Sequence, residues 1–172
     1  VAVAPGQTVA AGDTCVVIEA MKMLHTLISP ADAPFKPFAD MQVCFGNLAP
    51  DVQGVNEDGS SFVLSRRKGS WVVLNFFTHN CGPCIEEHPE LIEFVDQQRA
   101  LGADGAEFYS VVRDSTRAET QASFAERGGA WPVVYDPDYE FVNGFGVALV
   151  PETWIIDPNG FVRRRYISTV TA

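Results

Sequence analysis

Val72-Val73-Leu74-Asn75-Phe76-Phe77-Thr78-His79-Asn80-Cys81-Gly82-Pro83-Cys84 decides how the rest of the chain is read. Its first half is a short, nearly continuous apolar run, the pattern of a strand covered on both faces. After Cys84 the period changes, and Ile85, His88, Leu91, Ile92 and Val95 recur at helical spacing. The stretch therefore predicts strand, turn and helix, with two thiols at the helix N-terminus. There the free backbone N–H groups and the helix dipole favour a thiolate. Gly82 permits a tight turn, and Pro83 suits the first helical turn because its missing N–H has no intrahelical partner. Cys81 is expected to face solvent and Cys84 to lie against the helix, close enough to close a small disulfide ring. That arrangement suits thiol–disulfide exchange.

A Cys-x-x-Cys pair can also be half of a zinc site, but such a site needs a second pair of ligands. Cys15 and Cys44 lie far off with no partner at metal spacing, and His79 and His88 make no familiar second half. A redox dithiol is the better reading, and no metal is expected.

Outward from this stretch, 172 residues that are 47% hydrophobic suit one ordinary globular domain with an appendage. Acids outnumber bases by 22 to 12, a net charge of −10, which disfavours nucleic acid and anionic membrane surfaces as partners. The one basic cluster, Arg163-Arg164-Arg165, is expected to be a solvated flank. No apolar run reaches membrane-spanning length. Val1 begins mid-pattern without an initiator Met or signal peptide, as in a mature form or a fragment, so a membrane tether is expected only in sequence beyond this stretch.

Three regions are expected: a small β segment over residues 1–30, a Pro-containing linker over 31–48, and the main domain over 49–172. Within the main domain, Asn56-Glu57-Asp58-Gly59 predicts a hairpin turn, and Ala106 to Val112 a second central strand. Asp114-Ser115-Thr116 starts a helix that Gly128-Gly129 stops. Trp131 to Tyr135 is a strand or loop, and Tyr139 to Gly144 a short helix. Asp157-Pro158-Asn159-Gly160 turns a last hairpin. Strands alternate with helices and end in a hairpin, which is α/β with a mixed sheet.

Residues 49–168 resemble the thioredoxin superfamily, and within it the TlpA/ResA/DsbE-like thiol–disulfide oxidoreductases. Leu74 to Cys84 resembles their strand and active-site loop, Glu87-His88-Pro89 their Glu-x-Pro signature, and Gly146 to Gly160 the segment that holds their cis-proline. Pro151-Glu152-Thr153 is similar to the members that serve cytochrome c maturation. Asn80 stands where the family usually has Trp, and the chain stops where the family adds a last helix. The resemblance implies a thioredoxin-like fold, a central mixed β-sheet flanked by helices, preceded here by a small partial β-hairpin segment. It implies an enzyme with a redox-active disulfide that needs no cofactor. Its partners would be protein disulfides or dithiols and an upstream thiol reductant, and its setting would be extracytoplasmic. Cys81 would be the nucleophile, Cys84 the resolving thiol and Pro151 the cis-proline beside them. Glu87 would tune the thiols or relay a proton, and Glu152 is a weaker candidate for the same work. Gly-Pro between the thiols leans toward a reductant. A peroxiredoxin-like peroxidase is an alternative, because Thr78-His79-Asn80-Cys81 has the Thr-x-x-Cys spacing, although Phe77 stands where such enzymes have Pro.

Gly6 to Pro30 resembles the biotin-acceptor hairpin of biotin-dependent carboxylases. In Ala20-Met21-Lys22-Met23 the lysine between two methionines would carry biotin. A carrier module with an inert redoxin domain is therefore a further alternative. Only part of the acceptor domain's two halves is recognisable, so Lys22 is expected not to be efficiently biotinylated.

Overall fold

The computed structural model describes residues 46–170 and, before them, the backbone of four strands. The chain divides into two compact units, Val1–Asp40 and Met41–Ala172. In the first, β1 (Thr8–Val9) pairs antiparallel with β4 (Ala33–Pro34), and β2 (Thr14–Ala20) with β3 (Met23–Ile28). A short strand thus lies within the stretch expected to be linker. Proline can take a strand position wherever its missing N–H owes no ladder bond. Lys22 lies outside the described residues.

The second unit is built on one sheet. Its strands are β5 (Gln53–Asn56), β6 (Ser61–Val63), β7 (Val72–Phe77), β8 (Glu107–Val112), β9 (Val133–Tyr135), β10 (Glu152–Ile156) and β11 (Val162–Ile167), in the spatial order β11-β10-β7-β8-β9-β5-β6. The central trio β7, β8 and β9 is parallel, and every other pairing is antiparallel. Helices α1 (Gly82–Ala100), α2 (Arg117–Arg127) and α3 (Glu140–Phe145) complete the thioredoxin-like layering. The second helix starts later than Asp114. Thr116 is its N-cap, and a reciprocal capping box with Glu119 satisfies two N–H groups that lack helical partners.

All six residues of β7 are buried, as the unbroken apolar run predicts for a strand covered on both faces. Side-chain alternation sorts them. Val72, Leu74 and Phe76 face the larger core with Phe141, Phe145 and Trp154. Val73 faces the core under α1, with Leu91, Val95, Phe108 and Trp131. Phe76, Phe141, Phe145 and Trp154 are almost wholly inaccessible, and burying each such side chain contributes about 1.5–3 kcal/mol. At Gly54 a Cβ would lie 2.7 Å from the Tyr135 carbonyl oxygen, so glycine lets β5 close onto β9.

The arginine cluster departs from expectation. Arg163 and Arg164 are exposed, as a solvated flank would be, whereas Arg165 is partly buried. Arg163 pairs with the buried Asp157, and Arg165 with the buried Glu152 through two hydrogen bonds of 2.9 and 3.0 Å. Charge pattern alone could not show this, because the carboxylates come from the strand and turn that β11 folds back upon.

Candidate active site

The dithiol lies where strand β7 hands over to α1. Cys81 is the N-cap residue, and the Cys84 N–H donates to its Sγ at 3.1 Å. The two cysteines are joined by a disulfide with their Cα atoms 5.2 Å apart. Cys84 is buried at 6% exposure, whereas Cys81 is partly exposed. Pro83 and Ile85 are exposed beside it.

The segment before β10 forms the facing loop. Its Val150–Pro151 peptide bond is cis. Cys81 Sγ lies 3.6 Å from the Val150 carbonyl oxygen, so Pro151 adjoins the dithiol although 70 residues separate it from Cys81 in sequence. Leu149, which precedes Val150, is an apolar side chain at 69% exposure.

Beneath the dithiol is a buried polar layer. Glu87 follows Cys84 by three residues, so helical geometry puts both on one face of α1. Its carboxylate is 2% exposed and accepts hydrogen bonds from Asn75 Nδ2 at 2.7 Å and from the Val170 N–H at 2.9 Å. Asn75 also donates to Thr153 Oγ1 at 3.0 Å, across the β7–β10 register that pairs these two residues. Burial pushes the Glu87 carboxyl up from its ordinary range, against the opposing effect of the two hydrogen bonds. Glu87 is therefore no solvated helix charge.

Glu152 has a different place. It alternates with Thr153 along β10 and sits on the opposite face of the sheet with Trp154. Its partners are Arg165 and the Trp154 indole N–H, at 2.7 Å. It is a structural ion pair, not a second carboxylate for the thiols. His88 is buried, with Nε2 2.9 Å from the Gly128 carbonyl oxygen and its ring against Phe124 and Trp131, a packing role. Asp136 caps α3 by accepting from the Phe141 and Val142 N–H groups. Among the described residues no group of three or more His, Cys, Asp or Glu side chains is placed to hold a metal ion, and no helix is long and apolar enough to cross a membrane.

Sequence reasoning overlooked Asn75, Thr153, Arg113 and Ser115. Asn75 carried a signal, since an amide in the middle of a buried apolar strand requires a buried partner. The other three carried none.

Residues 45–165 match the model of the AhpC/TSA family. The thiol-disulfide oxidoreductase ResA of Geobacillus thermodenitrificans is 32% identical over 130 residues, covering 75% of this chain and 72% of that protein. The chain belongs to the AhpC/TSA family, with the ResA-type thiol–disulfide oxidoreductases. The thiol:disulfide interchange protein HelX of Rhodobacter capsulatus is 33% identical over 106 residues, 61% of this chain and 56% of that protein. The thioredoxin domain of the thiol-disulfide oxidoreductase BVU-2223 from Bacteroides vulgatus superposes with a TM-score of 0.65 at 22% identity, over 73% of this chain and 90% of that one, and shows the shared fold. Residues 1–32 match a second model, that of biotin-requiring enzymes.

Proposed function

We propose that this ResA-type redoxin reduces disulfides of other proteins, with Cys81 as the attacking thiol and Cys84 as the resolving one. The observation that carries this is the asymmetry of the pair: Cys81 is partly exposed at the N-cap, where the Cys84 N–H meets its sulfur, and Cys84 is buried. An N–H donor and the helix dipole favour the Cys81 thiolate. The thiolate attacks one sulfur of a substrate disulfide, forming a mixed disulfide and releasing the other sulfur as thiolate. Cys84, once deprotonated, attacks Cys81 Sγ and releases the second substrate sulfur. Two electrons have then passed to the substrate, and the Cys81–Cys84 disulfide remains for an upstream thiol reductant to reopen.

Glu87 takes the Cys84 proton at the resolving step. A carboxyl whose pKa burial raises is a stronger base than an exposed one. Pro151 shapes the loop against which a substrate chain lies beside Cys81. The local Cys81–Cys84 disulfide favours this exchange over the peroxidase reading of Thr78-x-x-Cys81. No dissociable cofactor enters these steps. An extracytoplasmic setting, where protein disulfides persist, suits such an enzyme. Residues 49–172 form the working domain in this reading, residues 1–30 a partial segment of the biotinyl type, and 31–48 the connection, in which Ala33–Pro34 pairs back to β1.

The deciding experiment is the reduction potential of the Cys81–Cys84 couple, with a thiol titration. A value near the roughly −270 mV of thioredoxin supports a reductant, and one near the roughly −120 mV of DsbA reverses the direction.

A further inference from the structure

We infer that Arg113 and Ser115 are positioning residues that hold the two loops facing the reactive sulfur at a fixed separation. The inference rests on Cys81 being the attacking thiol. Strand β8 ends at Val112, and the Arg113 N–H then donates to the Phe77 carbonyl oxygen at 2.9 Å, at the mouth of the dithiol loop. From this point the two side chains serve different loops. Arg113 Nη1 donates to the Ala148 carbonyl oxygen at 2.8 Å, three residues before Pro151. Ser115 Oγ accepts the His79 N–H at 3.0 Å and lies 2.8 Å from Thr78 Oγ1 and 2.9 Å from His79 Nδ1. The Thr78 carbonyl oxygen in turn accepts the Cys81 N–H at 3.3 Å.

The Ser115 hydroxyl has one proton to give and two lone pairs, and these three contacts use all of them. Ser115 accepts the His79 backbone N–H, and its own proton goes to one of Thr78 Oγ1 and His79 Nδ1 while the other donates to it. His79 Nε2 lies 3.8 Å from Glu119 Oε1. Between the two residues, Asp114 occupies left-handed backbone at φ 56°, and its carboxylate accepts from Tyr139 Oη at 3.0 Å and Arg113 Nε at 3.2 Å. A non-glycine residue holds that conformation only where its surroundings enforce it. One braced segment therefore ties down both the loop that carries Cys81 and the loop that carries Val150. Cys81 Sγ and the Val150 oxygen, 3.6 Å apart, mark the place beside which a substrate chain would lie. A small disulfide needs only the sulfur, whereas a protein substrate needs both loops.

The test compares reduction of insulin with reduction of a small aromatic disulfide by Ser115→Ala, Arg113→Ala and Ser115→Thr, with thermal unfolding alongside. The expected result is a loss of about tenfold or more toward insulin in both alanine variants, a change under about threefold toward the small disulfide, and recovery to near the parent rate in Ser115→Thr. Should an alanine variant fail to fold, Arg113→Gln removes the guanidinium reach while filling the space, and carries the same expectation. Insulin reduction within twofold of the parent in the folded variants, or equal losses on both substrates, overturns the inference. An active parent with an inactive Cys81→Ser variant shows that the reading of the dithiol stands in that case. A parent whose activity survives Cys81→Ser overturns both.

Discussion

Asn75, in the middle of the central strand, donates a 2.7 Å hydrogen bond to Glu87, one helical turn beyond the buried thiol Cys84. Both groups are almost fully buried, and the pair places an ionisable carboxyl behind the dithiol with no ion-pair partner among the described residues. Burial raises the Glu87 carboxyl above its ordinary value of 4.5. A carboxyl of raised pKa binds its proton more tightly in the folded than in the unfolded chain. Stability therefore falls as pH rises from about 4.5 through the folded value, and the burdened, ionised form persists above it. Glu87→Gln should flatten that slope above about pH 4.5 in urea unfolding. The amide is accommodated if Asn75 turns its own amide over, since the Thr153 hydroxyl can then donate in place of accepting. Exchange should slow by about a hundredfold or more at neutral pH. An unchanged stability profile together with an unchanged rate would remove Glu87 from both roles.

The exposure difference between the thiols has a direct chemical readout. After reduction, alkylation at mildly acidic pH should label Cys81 well before Cys84, because Cys81 is open and sits under the helix N-terminus. Cys84→Ser should accumulate mixed disulfides with protein substrates, and Cys81→Ser should form none. Preferential labelling of Cys84, seen by peptide mass mapping, would reverse the assignment.

Arg165 protects the fold, not the chemistry. It holds the Glu152 carboxylate, itself 1% exposed, through two hydrogen bonds, and its guanidinium lies 4.7 Å from the Trp154 ring centre. Removing one partner of a buried pair leaves an uncompensated charge and costs about 3–5 kcal/mol. Arg165→Ala should lower the denaturant midpoint by a corresponding amount. Combining Arg165→Met with Glu152→Gln should recover most of it, while the reduction potential of the folded protein stays put.

Lys22 is expected to remain unmodified when the whole chain is incubated with biotin ligase, ATP and biotin. The described ladders in residues 1–40 are both two-stranded, and a lone two-stranded hairpin is marginal in water. Ordering it costs roughly 1–2 kcal/mol per residue, which needs a closed core to offset it. Intact mass spectrometry decides the matter, and a near-complete adduct on Lys22 would establish a working carrier.

The strand from Val72, the turn at Gly82-Pro83, the helix that follows and the dithiol at its cap are all legible in the residues alone. These depend on side-chain period and on the φ preferences of a few neighbouring residues, which are local quantities. The cis-proline segment was recognisable through its own motif, and the Asp157–Gly160 hairpin through its turn residues. What each buried carboxylate does depends instead on the packed fold. Glu87 and Glu152 are equally hidden and equally acidic in sequence, yet the β7–β10 register puts Thr153 beside Asn75 and turns Glu152 to the opposite face, against Arg165. The bracing of the active-site loops by Arg113 and Ser115 was likewise beyond sequence. Such pairings are fixed by which strands lie side by side and by which face each residue presents. Shifting the register by one residue would exchange the faces of every side chain on the strand, and no local pattern records that choice.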